Sequence, residues 1–356
     1  MTHQPRVTMR DIAKAANVSP ATVSLSLRNH PSLPEATRKR IREAAWKMGY
    51  RPDPFLAALN NYRNTSHQAS YRATLGWIHG SPPKSMHGIS DFHRYFLGAR
   101  RRAQELGYGI EEFWIYEPGM TAARFSQIMT SRSIQGLLFP PLPMGVAMPE
   151  LDWERFSVVA FGFSHSSRFH IVTNAQNRSA RLATEQLIQR GYRRIGSFAH
   201  MSTSLGNTYN FFSGIWVECF AQGLKPLLLE IPEKEDRLEV NPRVLKWIRE
   251  EKPDAILTQD PKIFDFLARN GIRVPQDIAV AMLNRNPDDP PRAGIDQNPL
   301  EIGATAVNQL AGMLQRNEWG VPKTPLRILV DGFWIDGPTA PPRAETGKAA
   351  PSIKQR

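Results

Sequence analysis

Near the start of the chain, apolar residues recur at the spacing of short amphipathic helices. Ile12 and Ala16 fall on one face of a helix that we expect to begin near Met9. Thr8 is followed three residues later by Asp11, which is the spacing of a capping box, a motif that supplies partners to free N–H groups in the first turn. This pattern predicts a short first helix.

A tight turn and a second helix follow directly. Asn17 tolerates the left-handed backbone conformation, Ser19 can cap the next helix, and Pro20 suits its first position. Val23 and Leu27 are four residues apart and therefore lie on the same face, which we expect to turn toward the core.

A third helix is predicted in the segment PEATRKRIREAAWKMGY, which has a basic outer face. Its inward positions are Ile41, Ala44, Ala45 and Met48. Three short helices with a tight turn before the second form the helix-turn-helix arrangement, whose second helix enters the major groove of DNA. An ordinary three-helix bundle with a solvated basic face is the alternative.

The next segment, GYRPDPFLAALNNYR, could form two helical turns over residues 55–61. So short a helix is unstable alone, and Leu56 and Leu59 have no core of their own to fill. Folding against DNA, with a leucine inserted into the minor groove, would account for both leucines. A simple linker with one amphipathic turn is the alternative.

Beyond a polar link, short apolar runs alternate with helical patterns. One series contains TLGWIH, DFHRYFLGARRRAQELGY, GIEEFWIY, TAARFSQIMTSRS, IQGLLFPP and FSVVAFGF. A second contains FHIVTN, AQNRSARLATEQLIQRGY, RRIGSFAH, KPLLLEI, NPRVLKWIREE, DAILTQD, PKIFDFLARNG and DIAVAML. Strands that alternate with helices predict parallel sheets covered on both faces, and two consecutive series predict two lobes.

The distribution of charge indicates the kind of partner that the chain binds. The 356 residues carry a net charge of +12, and residues 1–63 hold eleven Lys and Arg against four acids, a surplus of seven. A basic first segment favours a polyanionic partner. Cys219, the single cysteine, excludes an internal disulfide and is expected to be a buried thiol. The chain has no apolar run of membrane-spanning length and no signal-peptide core at its start, so we expect a cytoplasmic protein without membrane contact.

The segments VTMRDIAKAANVSPATVS and ATRKRIREAAWKMGYRP, with the short helix after Pro52, resemble the lactose-repressor (LacI/GalR) family of bacterial transcription regulators. The resemblance implies an all-α helix-turn-helix headpiece with a hinge helix, followed by a two-lobed α/β periplasmic-binding-protein-like effector domain. The implied ranges are a headpiece at 1–50, a hinge helix at 51–63, an effector-binding and dimerisation domain at 64–339, and a disordered basic tail at 340–356. Lobe 1 is expected at about 72–170 plus 299–326, and lobe 2 at about 171–298 plus 327–339.

The resemblance also implies DNA contacts. Thr22 and Ser24 should contact phosphates, and Arg28 stands where the family usually has a phosphate-contacting Asn. Leu59 matches the hinge leucine that wedges between base pairs at the operator centre. The full set of expected DNA-binding residues is Thr8, Arg10, Pro20, Ala21, Thr22, Ser24, Leu25, Arg28, Thr37 and Leu59.

The base-reading positions by this match are Pro20, Ala21 and Leu25, and the third is commonly Arg or another polar residue in the family. None of these three side chains has a hydrogen-bond donor, although all of them can pack on thymine methyl groups. Our hypothesis is that specificity comes from such contacts and from operator shape. The alternative is that Arg10 or Arg28 reaches into the groove.

Candidate effector-binding residues lie at expected strand ends, where open α/β sheets bind ligands. Asp260 ends a strand and matches an Asp that often binds effector hydroxyls, although it could instead cap the next helix. Asn174 and Gln297 lie near expected crossovers, where a hinge role is the alternative. Phe211 replaces a sugar-binding Arg of the family and either stacks on a ligand or belongs to the core. Ser81, Asp91 and Tyr95 complete the set.

Other classes of function find little support in the sequence. It lacks the common nucleotide-binding, zinc-protease and serine-hydrolase motifs, so we expect no enzyme, no cofactor and no metal site. A secreted solute-binding protein would share the two lobes but would not carry a basic helix-turn-helix. We therefore expect a repressor that binds a near-palindromic double-stranded DNA operator as a homodimer, controlled by a sugar-like or other small metabolite in the cleft between lobes.

Overall fold

The computed structural model describes residues 7–27, 32–48, 50, 73–80, 90–141, 151–163, 168–200, 205–232 and 241–343. The expected hinge helix at 51–63, with Leu59, lies outside these residues. So do Arg28, Ser81 and most of the expected tail.

The headpiece consists of α1 (Met9–Ala16), α2 (Pro20–Leu27) and α3 (Glu35–Lys47). The capping box at the start of α1 is confirmed, and Asn17 takes the left-handed conformation at its end (φ 51°). The three helices close over a small core, in which Ile12, Val23 and Ile41 are fully buried.

The effector domain alternates strands and helices, as the two apolar series predict. Its strands are β1 (Ala73–His79), β2 (Tyr108–Trp114), β3 (Gly136–Phe139), β4 (Ser157–Phe161), β5 (His170–Asn174), β6 (Ile195–His200), β7 (Leu227–Ile231), β8 (Ala255–Thr258), β9 (Ala279–Met282), β10 (Ala293–Asp296), β11 (Arg327–Val330) and β12 (Phe333–Ile335). Its helices are α4 (Ser90–Glu105), α5 (Ala122–Ser131), α6 (Gln176–Gln189), α7 (Leu205–Ala221), α8 (Pro242–Glu251), α9 (Ile263–Arg269) and α10 (Pro299–Arg316), with a 3₁₀ turn at Trp153–Arg155.

The strands form two six-stranded sheets, one in each lobe. The first has the order β11-β5-β4-β3-β1-β2 and is parallel throughout. The second has the order β12-β10-β9-β8-β6-β7 and is parallel except for the edge pair β10–β12. The chain therefore crosses between lobes after β5, after β10 and after β11.

Helices cover both sheets, and their apolar faces build a separate core on each side. In lobe 1, α4 and α10 approach so closely that a Cβ on Gly98 would lie 2.0 Å from the carbonyl oxygen of Leu300. The late helix α10 thus belongs to lobe 1, as the resemblance implied. Cys219 is buried in the core of lobe 2, where burial raises its thiol pKa to about 11.

The structure moves three expected boundaries. Strands β5 and β11 pair with each other in the first sheet, so lobe 1 extends to residue 174 and again to residue 330, instead of ending at 170 and 326. The folded chain also extends beyond residue 339. Ala340 is buried, the hydroxyl of Tyr192 donates to the carbonyl oxygen of Pro341, and Arg343 pairs with Asp254 at 2.8 Å.

Candidate DNA-binding and effector sites

The turn before α2 is held by local hydrogen bonds. The Ser19 hydroxyl oxygen accepts from the backbone N–H of Thr22 at 3.1 Å and lies 2.8 Å from the Thr22 hydroxyl oxygen. Ser19 thus caps α2, and the turn fixes the angle between α1 and α2. Within the headpiece, Arg40 donates to the carbonyl oxygen of Ala16 at the end of α1 (3.0 Å), which joins α3 to α1.

The cap of α1 uses one of the predicted DNA contacts. The Thr8 hydroxyl donates to the Asp11 carboxylate at 2.6 Å, and the Thr8 backbone N–H donates to the same carboxylate at 2.8 Å. Both bonds lower the pKa of Asp11, and the bond from the Thr8 hydroxyl has the larger effect. Thr8 is exposed, but its hydroxyl already donates to Asp11. To donate to a DNA phosphate, the hydroxyl would have to break its hydrogen bond with Asp11.

The expected base-reading residues differ in exposure. Pro20 and Ala21 lie exposed on the first turn of α2, and Arg10 is exposed on α1. Leu25 is half-buried and lines a cavity of about 350 Å³ together with lobe 1 residues, among them Ala73 at the start of β1. Leu25 is thus the one of the three that does not lie on the open surface.

The remaining DNA-binding candidates on α2 and α3 are Thr22, Ser24 and Thr37. Thr22 and Thr37 are half-buried. Ser24 lies on α2, where its backbone alone is described. The described part of the headpiece therefore brings Pro20, Ala21 and Thr22 together at the start of α2.

At the crossovers, the structure joins two effector candidates to each other. The Asn174 amide nitrogen donates to the Gln297 side-chain oxygen at 2.6 Å, and the Ser179 hydroxyl donates to the same oxygen at 3.3 Å. The Gln297 amide nitrogen in turn donates to the carbonyl oxygen of Leu283. Asn174 and Gln297 are both buried, so their contacts favour the hinge role over ligand contact.

Asp260 follows β8 at the carboxyl edge of the second sheet. One of its carboxylate oxygens accepts from the backbone N–H of Lys262 at 3.0 Å, and its own N–H donates to the hydroxyl oxygen of Thr258. The carboxylate therefore stabilises the turn before α9 and is half-buried beside the cleft edge. One oxygen serves the turn, which leaves the other for a ligand hydroxyl.

Two further candidates are core residues. Phe211 is 3% exposed and packs in the core of lobe 2, which agrees with the core alternative and not with ligand stacking. Tyr95 on α4 is also buried and stacks on Phe161, the last residue of β4, with ring centroids 5.5 Å apart. Asp91 lies one residue after the start of α4, and its side chain is outside the description.

One group at the edge of lobe 1 was missed by the sequence reasoning. His79, the last residue of β1, stacks on Trp114 with centroids 4.7 Å apart, and its Nε2 lies 2.7 Å from the Glu112 carboxylate. These residues alternate within ordinary strand patterns, so only the register of β1 with β2 brings them together. Across the described chain, no group of three His, Cys, Asp or Glu side chains could hold a metal ion.

The described helices include none long and apolar enough to span a membrane. Residues 8–53 match the family of bacterial regulatory proteins called lacI, and residues 184–331 match a periplasmic binding protein-like domain. The HTH-type transcriptional regulator MalR of Streptococcus pneumoniae is 25% identical over 332 residues, which cover 88% of this chain and 94% of that protein.

The HTH-type transcriptional repressor CytR of Escherichia coli is likewise 25% identical, over 88% of this chain and 91% of its own. Among solved structures, a CelR–cellobiose complex superposes with a TM-score of 0.58 at 18% identity, covering 94% of this chain and 100% of that one. A lac repressor dimer bound to its operator superposes at 0.53 and 18% identity, covering 94% and 99%. These structures share the fold: a helix-turn-helix headpiece and two α/β lobes. Residues 8–53 are thus a DNA-binding domain of the lacI family of bacterial regulatory proteins, and the chain is a DNA-binding transcriptional regulator that is similar to such regulators along most of its length.

Proposed function

We propose that this regulator is a repressor that binds a near-palindromic operator as a homodimer and responds to a small molecule bound between its lobes. The observation that carries the proposal is the capped start of α2, where Pro20 and Ala21 are exposed on a strongly basic headpiece. A single headpiece reads only a half-site, so a palindrome requires two copies. The repressor name of CytR supports the sign of the regulation.

In this proposal the headpiece reads DNA mainly through shape and methyl groups. Pro20 and Ala21 cannot donate hydrogen bonds to base edges, but they can pack on thymine methyls in the major groove. The basic residues bind phosphates, and this electrostatic attraction supplies affinity without sequence preference. Sequence preference then rests on apolar contacts and on how easily the operator deforms.

The effector would act through the crossovers. The Asn174–Gln297 contact holds the first and second crossovers together, which gives the two lobes a common axis about which to rotate. A small molecule that contacts Asp260 on lobe 2 and the edge of lobe 1 would favour one lobe arrangement and so change DNA affinity. The cellobiose bound in the CelR structure supports a sugar-like ligand.

A solute-binding protein without a DNA role is the second candidate, and the two lobes alone would fit it. Solute binding does not require a basic headpiece with a capped helix-turn-helix, so we rank this function below the repressor.

Selection from random double-stranded DNA tests the proposal. The full-length protein and a variant starting at Thr65, which lacks the headpiece, are compared at near-physiological salt, with and without cell extract as a source of effector. A palindrome recovered by the full-length chain alone is expected. Enrichment that salt abolishes and that shows no common sequence in either condition would contradict sequence-specific binding. A change in recovery when extract is added gives the direction of the response.

A further inference from the structure

Five side-chain nitrogen atoms in lobe 1 are buried and have no hydrogen-bond partner among the described residues. Trp319 Nε1 follows α10 and lies beside the start of β1, whereas the other four are on β1, β2 and α4. These four are Trp77 Nε1, His79 Nδ1, Arg94 Nη1 and Trp114 Nε1. Buried polar atoms in folded proteins nearly always have partners, and each exception calls for an explanation, such as a site for a water molecule, an ion or a ligand. Four such atoms on neighbouring elements of one lobe are therefore a feature to explain together.

Three of the four lie on adjacent strands. Trp77 and His79 are two residues apart on β1, and His79 is paired in register with Trp114 on β2. Residues two apart on a strand share a face, so all three side chains leave the sheet on the same side. His79 ends its strand, at the carboxyl edge where open α/β sheets bind ligands.

Arg94 lies near the same edge, because α4 follows β1 along the chain. Its neighbour Tyr95 stacks on Phe161, which ends β4 at this edge. One turn later, Gly98 packs against Leu300, so Arg94 lies beside the start of α10, just after the crossover. Arg94 is half-buried, and no described carboxylate forms an ion pair with its guanidinium.

The chemistry of these atoms defines a ligand. Glu112 can only accept, so the Nε2 of His79 carries a proton toward it and the Nδ1 of a neutral His79 is an acceptor. The two indole N–H groups are donors only. A guanidinium with a buried N–H needs an anion, which carboxylate or phosphate supplies with a charge-assisted hydrogen bond. A ligand with hydroxyl groups and one oxyanion supplies the kinds of partner that His79 Nδ1, Trp114 Nε1 and Arg94 Nη1 lack, whereas Trp77 is buried in the core of lobe 1.

We propose that the effector is a polyhydroxylated metabolite that carries a carboxylate or phosphate group, with Arg94 binding the oxyanion and His79 Nδ1 accepting from a hydroxyl. This assignment rests on the proposed function, since it names the ligand class of the same cleft. It separates this chain from regulators that take neutral sugars, for which an unpaired guanidinium would be a cost.

Titration calorimetry on the full-length protein tests the assignment with gluconate, glucuronate, glucose 6-phosphate and glucose as probes. We expect at least one acid to bind at least tenfold more tightly than glucose. Carboxylate and phosphate probes in parallel identify the oxyanion. Glucose binding as tightly as every acid, or no acid binding at millimolar concentration, would overturn the proposal.

Variants assign the role to Arg94. Arg94→Gln should weaken acid binding at least tenfold without changing affinity for glucose, and Arg94→Lys should restore part of the loss. Arg101→Gln is the matched control, because Arg101 is on the same helix and 84% exposed, and it should change affinity by less than twofold. Unchanged acid binding in Arg94→Gln would contradict the assignment. DNA selection with the same preparation distinguishes failure of this inference from failure of the proposed function. If the protein selects a palindromic operator but binds no acid, only the ligand assignment is contradicted.

Discussion

At the scale of single residues, hydrogen-bond partners separate local from functional roles. Thr8 and Ser19 bond within three residues and set helix starts, whereas Asn174 and Gln297 are 123 residues apart and fix a crossover. The Asn174 and Gln297 amides can be buried because each bonds the other, whereas unpaired amides at these positions would destabilise the fold.

His170 should make the stability of the protein depend on pH. It is buried, and its Nδ1 accepts the backbone N–H of Leu326 at 2.9 Å, which requires the neutral ring. Burial lowers its pKa below the ordinary histidine value of 6.5. The folded state therefore binds a proton less readily than the unfolded chain, so its stability is complete above pH 6.5 and falls as the pH drops from there toward the lowered pKa.

Thermal melts between pH 7.5 and 5 measure this effect. We expect the melting temperature of the wild type to fall on acidification, and His170→Asn to flatten that dependence because an amide oxygen can accept from Leu326 without titrating. His93→Asn serves as the control, since His93 lies exposed on α4. A slope that persists in His170→Asn would assign the acid sensitivity to other groups.

Leu25 is half-buried against lobe 1 here, and it should determine one operator base once α2 enters the major groove. Leu25→Arg introduces a side chain that can bond bidentately to guanine, which is worth about 1–3 kcal/mol of discrimination. Selection with this variant should therefore recover a palindrome with guanine at one half-site position where the wild type prefers thymine. If Arg10 reads the bases instead, Leu25→Arg changes the recovered sequence little and Arg10→Ala relaxes it.

At the scale of elements, the close packing of α4 against α10 holds the late helix α10 on lobe 1. Gly303 faces the backbone of Tyr95 and Ala99 as closely as Gly98 faces Leu300, so both helices contribute a residue without a side chain at the contact. Side chains here would separate α10 from the sheet that it covers.

Gly98→Ala should therefore destabilise the protein by about 1–3 kcal/mol or more through overpacking, since the carbonyl oxygen of Leu300 belongs to backbone and cannot move aside. Gly312→Ala is the matched substitution in α10, where the new Cβ would meet only the flexible end of Arg316. It should leave stability unchanged or raise it by about 0.5–1 kcal/mol, as removal of a helical glycine does. Urea unfolding of both variants makes the comparison, and equal losses would contradict a backbone clash at Gly98.

The crossover contact yields a second prediction at this scale. Gln297→Leu keeps the size of the side chain but leaves the Asn174 amide and the Leu283 carbonyl oxygen without this partner, which should cost about 1–3 kcal/mol of stability. Gln222→Leu on the exposed surface should cost much less. A Gln297→Leu variant of normal stability that binds effector poorly would instead assign Gln297 to the ligand.

Local patterns predicted most elements, because their causes lie within a few residues. The cap at Thr8, the left-handed Asn17 and the apolar stripe of Val23 were all predicted and are all found. Strand β10 was missed, since its residues Ala293–Asp296 (AGID) contain only one large apolar side chain and form no apolar run. Whether Phe211 lined a pocket or a core could not be read from its neighbours, because only the packing of α7 on α6 decides it.

The site was less predictable than the fold for the same physical reason. Asn174 and Gln297 were identified as crossover residues from their positions, but their contact with each other depends on how three separate segments meet. His79 and Trp114 gave no signal at all, because each reads as an ordinary strand residue until β1 and β2 are in register.

At the scale of the whole molecule, the proposed effector site lies at the carboxyl edge of the parallel sheets, whereas the DNA-binding helices precede β1 in the chain. β1 begins where the chain arrives from the headpiece and ends at His79 on the cleft edge, so lobe 1 lies between the two functions. In the proposed function, a response to ligand would therefore be carried by movement of one lobe relative to the other about the bonded crossovers.

The two headpieces of the proposed dimer should be sensitive to the spacing of the half-sites. Inserting one base pair at the operator centre rotates one half-site by about 34–36° relative to the other, which two headpieces attached to paired lobes cannot both follow. We expect the affinity of the full-length protein to fall at least tenfold in fluorescence anisotropy, toward that of an oligonucleotide with a single half-site. The Leu25→Arg variant on its own selected operator is the control, because it changes the base that is read but not the spacing. Equal affinity for the half-site and the intact palindrome would show that the chain binds DNA as independent headpieces, against the dimer proposed for it.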